Sequence, residues 1–262
     1  MNTRLLSIAL ALAVPAAPLA AQAGQPTASP VPETAMLDDP CAGRPADLYD
    51  PAADWAWLCR YHAANLALAG QSIDTVFLGD SITEGWGYAD PGMFAPGTVN
   101  RGISGQTSPQ LVLRFMADVV GLHPRVVHLM IGTNDIAGNT GPTSPQAYQD
   151  NIRAMADLAA ANGIMMVLGS VPPSDRMTWQ PALRPARQIA ELNAWLKAFA
   201  AERGLVYADY YGALAGAGGE LPDRYGPDGV HPNAAGYAVM RPVALAAVAE
   251  AAARAAGPGW QR

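Results

Sequence analysis

Short, continuous apolar runs recur along the chain from residue 74 onward, and each is followed by a longer stretch with a different pattern. The runs are rich in Val, Ile, Leu and Met. They predict β-strands, because a strand that is buried on both faces shows no polar alternation. The predicted strands are Thr75–Leu78, Thr98–Asn100, Val126–Ile131, Ile164–Leu168 and Leu205–Asp209.

Two of the intervening stretches, residues 146–162 and 187–203, carry apolar residues at helical spacing. The residues that share a face are Tyr148, Ile152, Met155 and Ala159 in the first stretch, and Ile189, Leu192, Leu196 and Phe199 in the second. A final alanine-rich helix is predicted to begin at Pro232, since proline suits the first helical position.

Alternation of buried strands with helices predicts an α/β fold, with a parallel sheet covered by helices on both faces. In such sheets, ligands bind outside the carboxyl ends of the strands. We therefore expect functional residues to follow the predicted strands directly.

The first residues resemble a secretory signal. Arg4 supplies a positive start, Leu5–Val14 form an apolar stretch, and a small-x-small cleavage site ends at Ala23. The apolar stretch is too short to span a bilayer, which takes about 20 residues. We expect residues 1–23 to be a signal peptide, and the mature protein to be secreted or periplasmic, without stable membrane insertion.

Residues 24–72 are predicted to form an N-terminal extension, with a flexible linker and a helix that begins at Asp54 and ends at Gly70. The chain has two cysteines, Cys41 and Cys59. An even number of cysteines in an exported protein favours a disulfide. The globular domain is predicted to span residues 73–256, followed by a tail at 257–262.

The chain of 262 residues has a formal net charge of −6 and no run of Lys or Arg. Nucleic acids and anionic membranes attract clustered positive charge, so both are poor candidates as partners. The sequence does not indicate an oligomeric state.

Four segments with candidate chemistry follow predicted strands or precede the last helix. They are Gly79–Gly85 (GDSITEG), Asn100–Thr107 (NRGISGQT), Gly132–Asp135 (GTND) and Asp228–Asn233 (DGVHPN). Asp228 stands three residues before His231, so its carboxylate can reach the imidazole Nδ1–H and leave the other nitrogen facing a serine. A single Asp-x-x-His pair offers too few ligands for a metal site. For Ser81, an ordinary helix N-cap is the alternative interpretation.

In this order, the four segments resemble the sequence blocks of the SGNH (GDSL-type) hydrolase superfamily, over essentially the whole globular part. The resemblance implies a three-layer, flavodoxin-like sandwich with a five-stranded parallel sheet. It also implies a catalytic triad with Ser81 as nucleophile, His231 as base and Asp228 as acid, and it requires no metal or organic cofactor.

The same resemblance implies an oxyanion hole. Its donors would be the backbone N–H groups of Ser81 and Gly105 and the side-chain amide of Asn134. Gly102 lies close enough in the sequence to be an alternative to Gly105.

Residues that recognise the substrate are harder to identify. Trp86 follows the nucleophile segment, and Met177 and Trp179 lie in a long connection, Ser174–Arg187, which could cover the pocket. We expect these three side chains to contact substrate; the alternative is that they pack the loop onto the domain.

An exported, acidic enzyme of this kind is expected to hydrolyse short-chain acyl esters, with carbohydrate O-acetyl esters, as small molecules or glycans, as the first choice. The alternatives are a lysophospholipase or a broad arylesterase, an acyltransferase that uses the same triad, and a non-catalytic glycan-binding module.

Overall fold

The computed structural model describes residues 38–257. Their sheet has five parallel strands in the order β2-β1-β3-β4-β5. The strands are β1 Thr75–Gly79, β2 Thr98–Gly102, β3 Val126–Met130, β4 Met165–Gly169 and β5 Val206–Ala208. Each predicted strand is present, within two residues at either end.

Helices cover both faces of this sheet. They are α1 His62–Ala67, α2 Ser81–Ala89, α3 Ser108–Asp118, α4 Thr133–Ala137, α5 Pro145–Ala161, α6 Ala186–Arg203, α7 Tyr210–Leu214 and α8 Ala234–Ala255. Successive residues of β1 point to opposite faces, so Leu78 packs with α3, α5 and α6 while Phe77 packs with α2, α7 and α8. The predicted three-layer, flavodoxin-like α/β sandwich is therefore confirmed.

The N-terminal helix predicted from Asp54 to Gly70 is wrong. A 3₁₀ turn at Leu58–Arg60 and the short helix α1 take its place. The carboxylate of Asp54 accepts the backbone N–H groups of Leu58 and Cys59, so it closes a loop instead of starting an α-helix. Trp57 lies in the left-handed region (φ 55°), which no α-helix accommodates.

The start of the last helix also differs from the prediction. Asn233, not a residue before it, is the N-cap, because its Oδ1 accepts the N–H groups of Ala235 and Gly236. Pro232 therefore lies outside α8 rather than at its first position.

Helix α3 was not predicted, although the sequence carries a signal for it. Thr107 and Gln110 form a capping box, and Pro109 stands between them in the first turn. The helix then buries Leu111 and Phe115 against the sheet.

Cys41 and Cys59 form the predicted disulfide. Between residues 38 and 257, no helix is both long and apolar enough to cross a bilayer. The predicted signal peptide and most of the C-terminal tail lie outside the described residues.

Candidate active site

Ser81 lies at the carboxyl end of β1, as the first residue of α2. Asp80 is the N-cap of this helix, since its Oδ1 accepts the Ile82 N–H at 3.0 Å, so the alternative reading of Ser81 as a cap is wrong. Burial raises the pKa of Asp80 to about 7, although the hydrogen bond from Ile82 opposes the shift. The capping task thus falls to Asp80 and leaves the Ser81 hydroxyl available.

The fold brings Ser81, His231 and Asp228 into one hydrogen-bonded row. Ser81 Oγ is 3.0 Å from His231 Nε2, and His231 Nδ1 is 2.6 Å from Asp228 Oδ2. A carboxylate can only accept, so Nδ1 carries the proton in this pair and Nε2 is left to accept from the serine hydroxyl. This is the arrangement in which an imidazole can take a proton from serine.

Asp228 is held in its ionised form. Partial burial alone would raise its pKa, but hydrogen bonds from the Val230 N–H, the His231 ring and the His231 N–H outweigh that effect and lower it. The two backbone donors both reach Oδ1, at 2.9 and 2.8 Å, which leaves Oδ2 for the imidazole. The turn therefore fixes the carboxylate before it meets the histidine ring.

The two candidate glycines of the second segment have different surroundings. The Gly102 N–H donates to Asn100 Oδ1 at 2.8 Å, and a Cβ on Gly102 would lie 2.1 Å from the backbone nitrogen of Glu84. Gly102 is thus needed for close packing, and its donor is already used. Gly105 is exposed with φ +78°, and its N–H meets no acceptor among the described residues. Gly105 is therefore the better candidate for an oxyanion donor.

Asn134 lies in the first turn of α4, at the carboxyl end of β3. Its Nδ2 donates to the backbone oxygen of Gln106 at 3.0 Å and makes a long, 3.4 Å contact with Asp80 Oδ2. Its Oδ1 accepts from Asn139 Nδ2 at 2.7 Å. Both ends of the Asn134 amide are thereby assigned, with the donor end towards the loop that carries Gly105.

Of the three predicted substrate contacts, two are buried and one is exposed. Trp86 is 0% exposed and packs among Phe77, Tyr210 and Tyr237, so its prediction as a substrate residue is wrong. An aromatic side chain on the inner face of α2 is drawn into the core by the area it buries there.

Met177, which is 1% exposed, is also a wrong prediction as a substrate residue. It packs with Ala137 and Val230, so it holds its loop against the turn that carries Asp228 and His231. Trp179 is different. It is 39% exposed, its ring lies 6.2 Å from that of His231, and its indole N–H donates to Asn139 Oδ1.

An open cleft of about 530 Å³ adjoins the loop that carries Gly105. Its walls include Gly105 and four aromatic residues: Tyr49, Trp55, Trp57 and Trp179. We call it the aromatic cleft. Tyr49, Trp55 and Trp57 were not predicted as site residues, because residues 24–72 were assigned to a linker and a helix. Several aromatic residues so close together were nevertheless a usable signal.

Comparisons with known proteins identify a family for this chain. The model of the GDSL-like Lipase/Acylhydrolase family matches residues 77–239, more than half of the chain. A GDSL-like lipase from Bacteroides thetaiotaomicron is 39% identical, with a TM-score of 0.72, over 75% of this chain and 99% of that one. A candidate acylhydrolase from Bacteroides fragilis is 40% identical, with a TM-score of 0.72, over 76% and 99% of the two chains.

Two further comparisons are more distant. An acetylxylan esterase from Geobacillus stearothermophilus shares the fold, with a TM-score of 0.53 and 22% identity over 68% of this chain and 95% of that one. The uncharacterized lipoprotein YqeF of Bacillus subtilis is 30% identical over 118 residues, which are 38% of this chain and 49% of that protein. The chain thus spans about half the length of this curated relative.

The fold, the order of the four segments and the family match lead to one assignment. The chain belongs to the GDSL-like lipase/acylhydrolase family, within the SGNH hydrolase superfamily.

Proposed function

We propose that this protein is an exported serine esterase that hydrolyses short-chain acyl esters, above all acetyl esters of carbohydrates. The observation that carries the proposal is the 3.0 Å contact between Ser81 Oγ and His231 Nε2, with Asp228 bonded to the far side of the ring. A serine hydroxyl is a weak nucleophile until a base takes its proton. His231 is within reach to do so, and the Gly105 N–H, which meets no acceptor among the described residues, is available to an oxyanion.

In the acylation step, Ser81 Oγ attacks the carbonyl carbon of the ester while His231 Nε2 takes the hydroxyl proton. The carbonyl oxygen becomes an oxyanion, which accepts hydrogen bonds from the N–H groups of Ser81 and Gly105 and from the Asn134 amide. His231 then gives its proton to the leaving alkoxide oxygen. The bond between that oxygen and the carbonyl carbon breaks, and the acyl group stays on Ser81.

In the deacylation step, water takes the place of the alcohol. His231 removes a proton from the water, whose oxygen attacks the acyl carbon and forms a second oxyanion in the same site. The bond to Ser81 Oγ then breaks, and His231 returns the proton to the serine. Every bond and proton in this cycle is supplied by the triad, the ester and water, so the cycle calls for no cofactor.

The nature of the cleft supports a neutral alcohol group in the substrate. Among the described residues that line the aromatic cleft, none is charged, which suits an uncharged ester better than a phospholipid headgroup. The same architecture carries an acetylxylan esterase in Geobacillus stearothermophilus, so the fold is compatible with deacetylation of a glycan.

Export is supported by the signal-like first residues and by the disulfide between Cys41 and Cys59, since disulfides persist in oxidising compartments. The matched relative from Bacillus subtilis is called a lipoprotein, which agrees with a location outside the cytoplasm.

The experiment is hydrolysis of p-nitrophenyl esters from acetate to palmitate by the mature protein and by Ser81→Ala. We expect fastest turnover of acetate, a steady fall with chain length, and loss of turnover in the variant. Ser72→Ala is a matched control, because Ser72 is an exposed serine before the amino end of β1, whereas Ser81 follows the carboxyl end.

Two results would overturn the proposal. Turnover that rises with acyl length would favour a lipase or lysophospholipase. Absence of turnover with every ester, together with binding of glycans, would favour a binding module instead.

A further inference from the structure

The aromatic cleft is lined by side chains that the fold leaves partly in solvent. Tyr49 and Trp55 are each 38% exposed, whereas Trp86, on the inner face of α2, is fully buried. Flat aromatic faces at a concave surface are typical of a ligand site, and about 530 Å³ falls within the range of roughly 300–1,000 Å³ that small-molecule sites occupy. The cleft is far larger than an acetyl group needs.

Hydrogen bonds, ring stacking and the disulfide hold in place the wall of the cleft that Tyr49, Trp55 and Trp57 form. Gln110 Nε2 donates to the Trp55 carbonyl at 2.7 Å and to the Tyr49 hydroxyl at 3.2 Å. The Tyr49 ring stacks on Trp57, with ring centroids 4.7 Å apart. The disulfide to Cys59 closes the loop that contains all three aromatic residues. Rings that are already fixed lose little entropy when a ligand binds.

The same wall is hydrogen-bonded to the loop that carries Gly105. Gln106, which follows Gly105, donates its side-chain amide to the Ala56 carbonyl at 2.8 Å. Its backbone oxygen accepts from Asn134. A ligand that lies against Trp55 is therefore held at a fixed position relative to the loop that carries Gly105, where the ester carbonyl would bind.

The far wall connects the cleft with the triad. Trp179 lines the cleft, and its ring lies 6.2 Å from the imidazole of His231. His231 is the group that protonates the leaving alcohol in the proposed cycle. The part of a substrate that extends from this point into the cleft is thus the alcohol part.

We infer that the aromatic cleft is a subsite for a neutral sugar ring, namely the alcohol part of a carbohydrate ester, with Trp55 and Trp179 as its stacking faces. The inference rests on the proposed esterase function and adds the residues that select the alcohol. A sugar ring presents C–H groups on its faces and hydroxyls at its edge. The cleft offers aromatic faces for the former, and the side chains of Ser104, Asn139 and Thr140 border it for the latter.

Other occupants fit this lining less well. A phospholipid headgroup carries charges, and the described residues that line the cleft supply no charged partner for them. A long acyl chain needs a wholly apolar channel. This cleft is open to water, and amides and hydroxyls border its aromatic rings.

The experiment compares two acetate esters, one with a sugar ring and one without. The probes are a chemically acetylated neutral disaccharide and ethyl acetate, and acetate release is measured for both. Trp55→Ala keeps the backbone carbonyl that Gln110 holds and removes only the ring. We expect the ratio of kcat/KM for the disaccharide to that for ethyl acetate to fall roughly tenfold, through a higher KM, and Trp55→Phe to retain most of it.

Tyr88→Ala is the matched control, since Tyr88 is an exposed aromatic residue on α2 that does not line the cleft. We expect this variant to leave the ratio unchanged. A second measurement, tryptophan fluorescence of Ser81→Ala titrated with the disaccharide, should saturate, and the added change Trp55→Ala should weaken that binding.

The outcomes separate this inference from the proposed function. If both esters are hydrolysed and Trp55→Ala leaves the ratio unchanged, the subsite is wrong while the esterase stands. If the wild-type protein hydrolyses neither ester, the proposed function itself is wrong. Equal loss with both esters in Trp55→Ala leaves the ratio unchanged, so it counts against the subsite in the same way.

Discussion

Asn139 donates a side-chain N–H to Asn134 Oδ1 across 2.7 Å, and Asn139 Oδ1 in turn accepts the indole N–H of Trp179 at 3.0 Å. The two ends of an amide differ, so a donor at Oδ1 determines which end of Asn134 faces the site. Its Nδ2 then points to Gln106 O and to the weak 3.4 Å contact with Asp80, which an oxyanion could replace. We therefore expect Asn139 to position the proposed oxyanion donor.

Asn139→Asp tests this role, because it keeps the size of the side chain but replaces the N–H donor with a carboxylate. We expect kcat for p-nitrophenyl acetate to fall by about 10- to 100-fold with little change in KM. The reason is that a misplaced donor stabilises the transition state less, while it affects binding of the ground state little. Asn162→Asp, the same change at the exposed end of α5, should leave kcat unchanged. A rise in KM at constant kcat would instead indicate that Asn139 contacts substrate.

Asn134→Ala removes the donor itself. Loss of one oxyanion donor costs roughly 10²–10³ in kcat, and the ground state loses little because the carbonyl oxygen carries less charge there. Steady-state kinetics on the same ester should therefore show a lower kcat and a nearly constant KM. Wild-type kcat in this variant would remove Asn134 from the oxyanion hole.

Asp80 should make stability depend on pH. Its folded pKa is raised by burial to about 7, from an ordinary value of 3.8. Between about pH 4 and 7 the folded protein keeps a proton that the unfolded chain has lost, so the free energy of unfolding falls as pH rises through this window. The total fall should be on the order of a few kcal/mol.

Two other carboxyls bear on the same curve. Burial raises the pKa of Asp135 to about 6, which adds a fall of the same sign. The pKa of Asp228 is lowered, so its contribution is lost only in acid below this window. Burial lowers the pKa of His128 to about 3, so this group makes the free energy of unfolding rise with pH and opposes the two carboxyls. Asp80→Asn keeps the capping oxygen and should make the slope of the unfolding free energy between pH 4.5 and 7.5 more positive than in the wild type, whereas the exposed Asp150→Asn should leave it unchanged. An unchanged slope in Asp80→Asn would contradict the assignment.

The disulfide should contribute measurably to stability. Cys41 and Cys59 are 18 residues apart, and closing a loop of this size stabilises the folded state by about 3 kcal/mol in the chain-entropy model. The double variant Cys41→Ser, Cys59→Ser should melt roughly 5–10 °C lower than the wild type in scanning calorimetry. Dithiothreitol should lower the Tm of the wild type and leave that of the variant alone. Equal melting of the two proteins would show that other contacts already fix the segment.

Much of the fold followed from local pattern. Continuous apolar runs such as Met165–Gly169 are diagnostic because burial on both faces favours an apolar residue at every position. The sheet then brings its carboxyl ends together, so Ser81 and Asn134 could be expected near one another from their positions after β1 and β3. Asp228 and His231 needed only their own spacing.

The surroundings of the site were not accessible in this way. Trp86 and Trp179 look alike in the sequence, but one lies on the inner face of a helix and the other on a loop beside the histidine. Similarly, the apolar spacing after Asp54 is compatible with a helix. Its carboxylate instead accepts the N–H groups of Leu58 and Cys59, four and five residues further along, and the spacing of apolar residues does not reveal this local contact.

The family match begins at Phe77, and it contains every residue proposed for bond making, whereas Tyr49, Trp55 and Trp57 stand before it. Under the two proposals, reactivity and choice of alcohol lie in separate stretches of the chain, which hydrogen bonds from Gln106 and Gln110 hold together. Such an arrangement lets one part diversify while the other stays constant. Grafting residues 40–61 onto a relative that has the same two glutamines would be a compact way to transfer this protein's proposed preference for the alcohol part of the ester.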